Sequence, residues 1–158
     1  MRALSKIVRT ICNLLFWFIL IFGFYVIMHG HLTPGGGFQG GAVVASAFAM
    51  VFVAYGITKA VDLVKEGSFT AAESSGLLAF IGLAFLGIGT AFFYNFLAVG
   101  RSSLLPNLFS HTPHGINPGD LNTAGVLPLM SLAVGLEVIG GLGAVVYIMY
   151  LNRGGDEE

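Results

Sequence analysis

Apolar residues in this chain gather into four long runs rather than into the short alternating or one-faced segments of a water-soluble fold. The runs are Ile7–Met28, Phe38–Thr58, Gly76–Val99 and Gly125–Leu151. Each holds about 18 or more nearly uncharged residues, the length that crosses a hydrocarbon layer as a helix. Helices that face water need a polar stripe, and these runs offer little of one. The pattern predicts an all-α polytopic membrane protein, a bundle of four transmembrane helices near residues 7–28, 38–66, 73–99 and 125–151. These form a single membrane domain over residues 1–158.

The ends of the runs carry their own signals. The chain opens with MRALSKIVR and then about 18 apolar residues, longer than the 7–15 of a signal-peptide core and followed by no small-x-small cleavage site. The first run is therefore expected to be a retained helix. After Thr58 the sequence KAVDLVKEG keeps Ala60, Val61 and Val64 on one face and charges on the other. Helix two is thus predicted to continue to Glu66. At about 43 Å it would outrun a layer about 30 Å thick, and Gly67 is a natural stop. Thr70 and Glu73 fit a capping box that would start helix three; a proton-handling role is the alternative reading of Glu73. The segment Gly100–Thr123 contains three prolines and resists regular structure. Its Leu104, Leu105, Leu108 and Phe109 are expected to lie on the membrane surface or against a neighbour.

Composition and charge add orientation. Hydrophobic residues make up 56% of the chain and charged residues 9%, against roughly 25% charged in a typical soluble domain. If four helices cross, one side holds Arg2, Lys6, Arg9, Lys59, Lys65 and Arg153, and the other holds Arg101. Six against one predicts that both termini are cytoplasmic and that the protein is multi-pass in the plasma membrane. A net charge of −1 gives no reason to expect nucleic acid. A lone cysteine, Cys12, cannot form an internal disulfide and is expected to be a buried, inert thiol.

In lipid, helices gain little from hiding apolar surface, so association depends on close packing through small residues. Gly37, Gly41, Ala45 and Ala49 recur every four residues in helix two. Ala133, Gly140, Gly141 and Ala144 lie near one face of helix four, and Gly82 and Gly89 mark helix three. Pro34 suits a helix start, and Gly35 and Gly36 permit backbone angles closed to other residues. Together they predict an abrupt re-entry into the bilayer. Tight turn plus packing is the first reading of this stretch. Contact of free N–H groups with an anion or carbonyl is the second.

Glu137 stands near the centre of helix four, the one charged residue well inside any predicted span. A central acid costs roughly 2.5–3.5 kcal/mol on insertion scales, met by protonation, a partner or a watery cavity. Two readings stay open: an ion or proton path, or a neutral, hydrogen-bonded glutamate that holds helices together. With no second charge inside a predicted span, a full relay would need other subunits. The pairs His29-x-His31 and His111-x-x-His114 could in principle serve zinc. With no cysteine or obvious catalytic acid beside them, they read first as hydrogen-bonding or turn-capping groups, and no metal or other cofactor is expected.

The stretch Gly30-His31-Leu32-Thr33-Pro34-Gly35-Gly36-Gly37-Phe38-Gln39-Gly40-Gly41 resembles the signature of the MnhB family, small membrane subunits of Mrp-type multisubunit sodium/proton antiporters. The resemblance covers nearly the whole chain. In the last helix Leu136-Glu137-Val138-Ile139-Gly140 stands where the family commonly has a Phe-Asp-Ile-Gly-like stretch, so the acid is kept but lengthened by one methylene. The resemblance implies a cofactor-free, non-catalytic membrane subunit that works beside other Mrp-type subunits on Na+ and H+. Read from the residues themselves, His31, Pro34, Gly35, Gly36, Gly37, Phe38, Gly40 and Gly41 serve the turn and helix packing, and Gly140 and Gly141 the packing of helix four. Similar modules occur in archaeal membrane-bound hydrogenases and sulfane reductases. There, peripheral hydrogenase-like subunits would be further partners and the chain would be mainly structural. An independent channel or membrane metalloenzyme is the least favoured alternative.

Overall fold

The computed structural model describes residues 4–56, 66–87, 91–98 and 110–155. Four helices fill most of them: α1 (Lys6–Met28), α2 (Gly37–Tyr55), α3 (Glu66–Phe85) and α4 (Leu127–Gly155), with a 3-10 turn at Pro118–Asp120. Each helix contains a stretch long and apolar enough to cross a membrane. No strand occurs among the described residues. Four membrane-length helices in an all-α bundle are what the apolar runs predict.

In space the order is α1–α2–α4–α3. The main helix–helix packing runs α1 on α2, α2 on α4, and α4 on α3. The innermost position of α2 shows in its burial: 44% of its span is buried, against 17% for α1 and for α3. The start of α1 and the end of α4 lie at the same end of the bundle. There Leu4 N donates to Ala54 O (3.1 Å), and Phe52, Phe69 and Tyr147 bring α2, α3 and α4 together in a buried aromatic cluster. Their rings meet edge-on or tilted at centroid distances of 5.9–6.3 Å, a favourable arrangement of ring quadrupoles. Cys12 is buried on α1, with Sγ 3.5 Å from Met50 O of α2.

Three boundaries depart from the sequence expectation. First, α2 ends at Tyr55 rather than at Glu66. Gly56 closes it at φ +82°, a left-handed angle that suits glycine and stops a helix. Residues 57–65, the amphipathic continuation, lie outside the described residues. The α2 span is thus about 28 Å long, matched to the hydrocarbon layer. Second, α3 begins by Glu66 rather than at Glu73, and Gly67 sits in its first turn instead of ending helix two. Thr70 and Glu73 are therefore inside the helix, and the predicted capping box is not formed. Third, α3 stops at Phe85 instead of running to Val99. Beyond it the chain folds back: Phe93, at φ +62°, donates its N–H to Ala84 O (3.2 Å). The long helix of the bundle is α4, 29 residues or about 43 Å.

The approach to α4 is tied to the turn after α3. Asn95 grips both sides of a left-handed pair, Ala124 (φ +66°) and Gly125 (φ +69°). Its Nδ2 donates to Ala124 O (3.0 Å) and its Oδ1 accepts from Val126 N (2.8 Å). Pro128 follows in the first turn of α4, where its missing N–H costs nothing.

Candidate functional site at the helix crossings

The glycine-rich turn lies between α1 and α2, at the end of the bundle away from the termini. Helix α1 closes with Gly30 N donating to Ile27 O (3.2 Å) and Leu32 N to His29 O (2.8 Å). Gly35 then takes φ +112°, and Gly36 is the residue before the first helical turn of α2. Pro34 is exposed and lies three residues ahead of Gly37, so it shapes the turn and does not occupy the first turn of the helix. Gly40 N to Gly36 O (3.0 Å) is the first bond of α2.

The glycines of this stretch split between two faces. A Cβ at Gly40 would stand 2.7 Å from Gly23 O and 2.5 Å from Ile27 Cγ1, so this face of α2 lies flat on α1. A Cβ at Gly41 would stand 2.8 Å from Gly135 O and from Val138 Cβ, and one at Gly37 would collide with Ser131 O; this face lies flat on α4. Two neighbouring glycines thus serve two different partner helices. Phe38, on the same turn, is exposed, 64% of its surface free. Ser131 of α4 adds a polar bond, Oγ donating to Ile27 O (3.0 Å), and its hydroxyl sits where a side chain at Gly30 would have to go. Sequence reasoning does not single out Ser131. Its i, i+4 spacing from Gly135 on the glycine-facing side of α4 is the signal that could have found it.

His31 and His29 have different surroundings. His31 Nε2 lies 2.9 Å from Asp120 O in the 3-10 turn, joining the glycine turn to the segment before α4. His29 is buried, its ring 4.2 Å from that of Tyr25. His111 and His114 are exposed. Among the described residues no three His, Cys, Asp or Glu side chains converge on a metal-sized site. Buried Asp120 is another residue that sequence reasoning passes over; nothing in the loop's composition marks it for burial.

Glu137 is half-buried at the α3–α4 crossing. Its backbone touches α3 at Gly76, where a Cβ would stand 2.5 Å from Glu137 N and 2.7 Å from Ala133 O. The contact is reciprocal. Gly140, three residues after Glu137, lies on the backbone of Glu73, and a Cβ there would stand 2.6 Å from Phe69 O and 2.8 Å from Glu73 Cα. The sequence Glu-x-x-Gly therefore occurs on both helices, at 73–76 and 137–140, and each glycine receives the other helix's glutamate backbone. Glu73 Oε1 lies 3.6 Å from where a Cβ of Gly141 would be. Gly141 is four residues beyond Glu137, so the Glu73 carboxyl lies over the same strip of α4 as Glu137.

This corrects the reading of Glu137 as the one charge inside a span. Glu73 lies within the apolar span Gly67–Phe85, at a depth offset from Glu137 by about 4.5 Å along the axis. The shift of α3 by two turns toward the N-terminus brings it there. The two acids thus lie on two candidate membrane spans whose backbones are close enough to leave no lipid between them.

Comparison with known proteins gives the family. The family described as "Domain related to MnhB subunit of Na+/H+ antiporter" matches residues 7–144. A protein named putative antiporter subunit mnhB2 in Staphylococcus haemolyticus is 30% identical over 159 residues, covering 98% of this chain and 99% of its own length. An uncharacterized protein of Methanocaldococcus jannaschii is 31% identical over 134 residues, 83% of this chain. The chain spans about half of that relative's length, 47%. Among solved structures, a chain of the membrane-bound sulfane sulfur reductase, an archaeal respiratory membrane complex, superposes with a TM-score of 0.73 at 27% identity. The match covers 92% of this chain and 58% of that one. With a family match over most of its length, and four membrane-length helices, the chain belongs to the MnhB family of Na+/H+ antiporter-related membrane subunits.

Proposed function

We propose that this chain is an integral subunit of a multisubunit Na+/H+ antiporter module, bracing the ion-translocation path and contributing Glu137 to it. It carries no catalysis of its own and works beside other Mrp-type membrane subunits. The observation that carries this reading is the α3–α4 crossing, where Glu137 is held at mid-span by backbone contact with Gly76. Close packing at Gly76 and Gly140 limits how far this part of α4 can shift against α3, which supports a role for the acid in an ion path. The excess of Lys and Arg on the terminal side supports cytoplasmic termini, and an antiporter-subunit role goes with the plasma membrane.

The test is Glu137→Gln in the complete complex, assayed for Na+-driven proton movement in membrane vesicles. Exchange is expected to fall at least tenfold while the subunits still copurify. Wild-type exchange in this variant removes Glu137 from the path.

A second reading has its own support in the likeness to the sulfane reductase complex. The same module would sit inside a redox-driven respiratory complex, with this chain mainly structural. The glycine seams of α2 favour it, because backbone contact at Gly37, Gly40 and Gly41 joins three helices. Copurification in mild detergent separates the two: an antiporter set alone supports the first, and iron–sulfur subunits support the second.

A further inference from the structure

Helix α3 changes character at Gly76. Its first half carries Ser68, Thr70, Glu73, Ser74 and Ser75, all exposed. Its second half exposes Leu77, Leu78, Ile81 and Phe85. The apolar half from Gly76 to Phe85 is only about 15 Å long, half of the roughly 30 Å hydrocarbon layer. The polar half must therefore also lie at hydrocarbon depth if α3 crosses. Lipid cannot satisfy it: a carboxyl at that depth is costly and is met by a partner or by a watery cavity. Within this chain α3 packs mainly along α4, and Phe69 reaches α2 through its ring. The Glu73 carboxyl is exposed and has no hydrogen-bond or ion-pair partner among the described residues, and the strip of α4 beside it, at Gly140 and Gly141, offers no basic group and follows a second acid, Glu137. By contrast α1, also at the edge of the bundle, exposes Ile7, Ile11, Leu14, Trp17, Phe18 and Ile21, a surface fit for lipid.

We infer that the polar half of α3 is an interface, and that its occupant is a transmembrane helix of another subunit presenting a Lys or Arg to Glu73. Charge complementarity selects this occupant over a second copy of the chain, whose matching face would bring acid against acid. The serines provide small, hydrogen-bonding neighbours that let such a helix approach closely. The inference rests on the reading of the chain as one subunit among several, but not on any role of Glu137 in transport.

The test uses the whole complex in its native membrane. A photo-crosslinking residue is placed at Ser74, and another at Phe18 as the lipid-facing control. The Ser74 probe is expected to form an adduct with one other membrane subunit, and the Phe18 probe to react with lipid. The Ser74 adduct should fall at least tenfold in Glu73→Lys and return when the basic residue of the crosslinked peptide is reversed to an acid. Adducts with lipid or with a second copy of this chain overturn the inference, as does an adduct indifferent to Glu73→Lys. The probe sits in an otherwise unaltered chain, so a folding defect in the charge variant does not decide the outcome. Normal exchange in Glu137→Gln with the Ser74 adduct intact would sink the transport role and leave this interface standing. Lipid adducts beside exchange that depends on Glu137 would do the opposite.

Discussion

The α2–α4 crossing and the α3–α4 crossing use one device for different ends. At the first, Gly37 and Gly41 lay α2 on Ser131, Gly135 and Val138 of α4, and the contact is backbone against backbone with no charged residue among these. At the second, Gly76 and Gly140 bring α3 and α4 equally close, but the residues they touch are glutamates. Small residues decide how near two helices come in a solvent that gives no hydrophobic reward for association. What flanks them decides whether the seam is only a joint or also places charge at a fixed depth. One helix, α4, carries both seams on different faces, and so links the turn-bearing half of the bundle to its acidic edge.

The largest effect is expected at the first crossing. Gly41→Leu must push α2 away from Gly135 O and Val138, both parts of a helix that has nowhere to move without uncovering α2 or α3. Overpacking typically costs about 1–3 kcal/mol and at times more, and here the obstacle is backbone. We expect the chain to fail to accumulate in the complex, read as loss of copurifying subunits.

The second crossing responds to a smaller change. Gly76→Ala places a methyl group 2.5 Å from Glu137 N, so α3 must lift from α4. Because α3 is an edge helix, the bundle should survive with a loss of about 1–3 kcal/mol, measurable as a lower thermal midpoint of the detergent-solubilised complex. Exchange should fall as well, since Glu137 loses its wall. A variant with normal stability and lowered exchange would show that the crossing acts through position alone.

Two milder changes probe the polar bonds around the glycine turn. His31→Phe removes the bond to Asp120 O near the bundle's end, with an expected loss of about 0.5–1.5 kcal/mol. Faster proteolysis around the 3-10 turn, with the helices still protected, would be its signature. Ser131→Ala removes the bond to Ile27 O (3.0 Å), worth about 0.6 kcal/mol on average inside a membrane. A small fall in thermal midpoint with exchange unchanged is expected.

How much of this is legible in the sequence differs by element. The α1 helix can be read nearly to the residue, because a long apolar run between Ser5 and His29 leaves few alternatives. The glycine turn is legible as a turn, and the four-residue ridge Gly37–Gly41 as a packing face. That Gly40 serves the opposite face is not, since a series of small residues does not say which neighbour each meets. The far end of α2 is misplaced by pattern alone because KAVDLVKEG keeps a helical period while the single residue Gly56 breaks the backbone. Glu73 misleads for a related reason. A Thr-x-x-Glu pattern marks a helix start when the chain begins there, and the same four letters inside a helix mean nothing of the kind.

That this is a multi-pass membrane protein with four membrane-length helices, and that it is a member of its family, can be read from the residues in order. Each of these follows from local quantities: the length of apolar runs, the scarcity of charge, and a glycine signature in order. The strip of α4 that Glu73 shares with Glu137, and the two glycines facing two glutamates that make it possible, emerge only once the helices are packed. Helical periodicity fixes which side chains share a face of one helix. Which face meets which neighbour, and at what depth, depends on where backbones can touch, and that is a property of the assembled bundle.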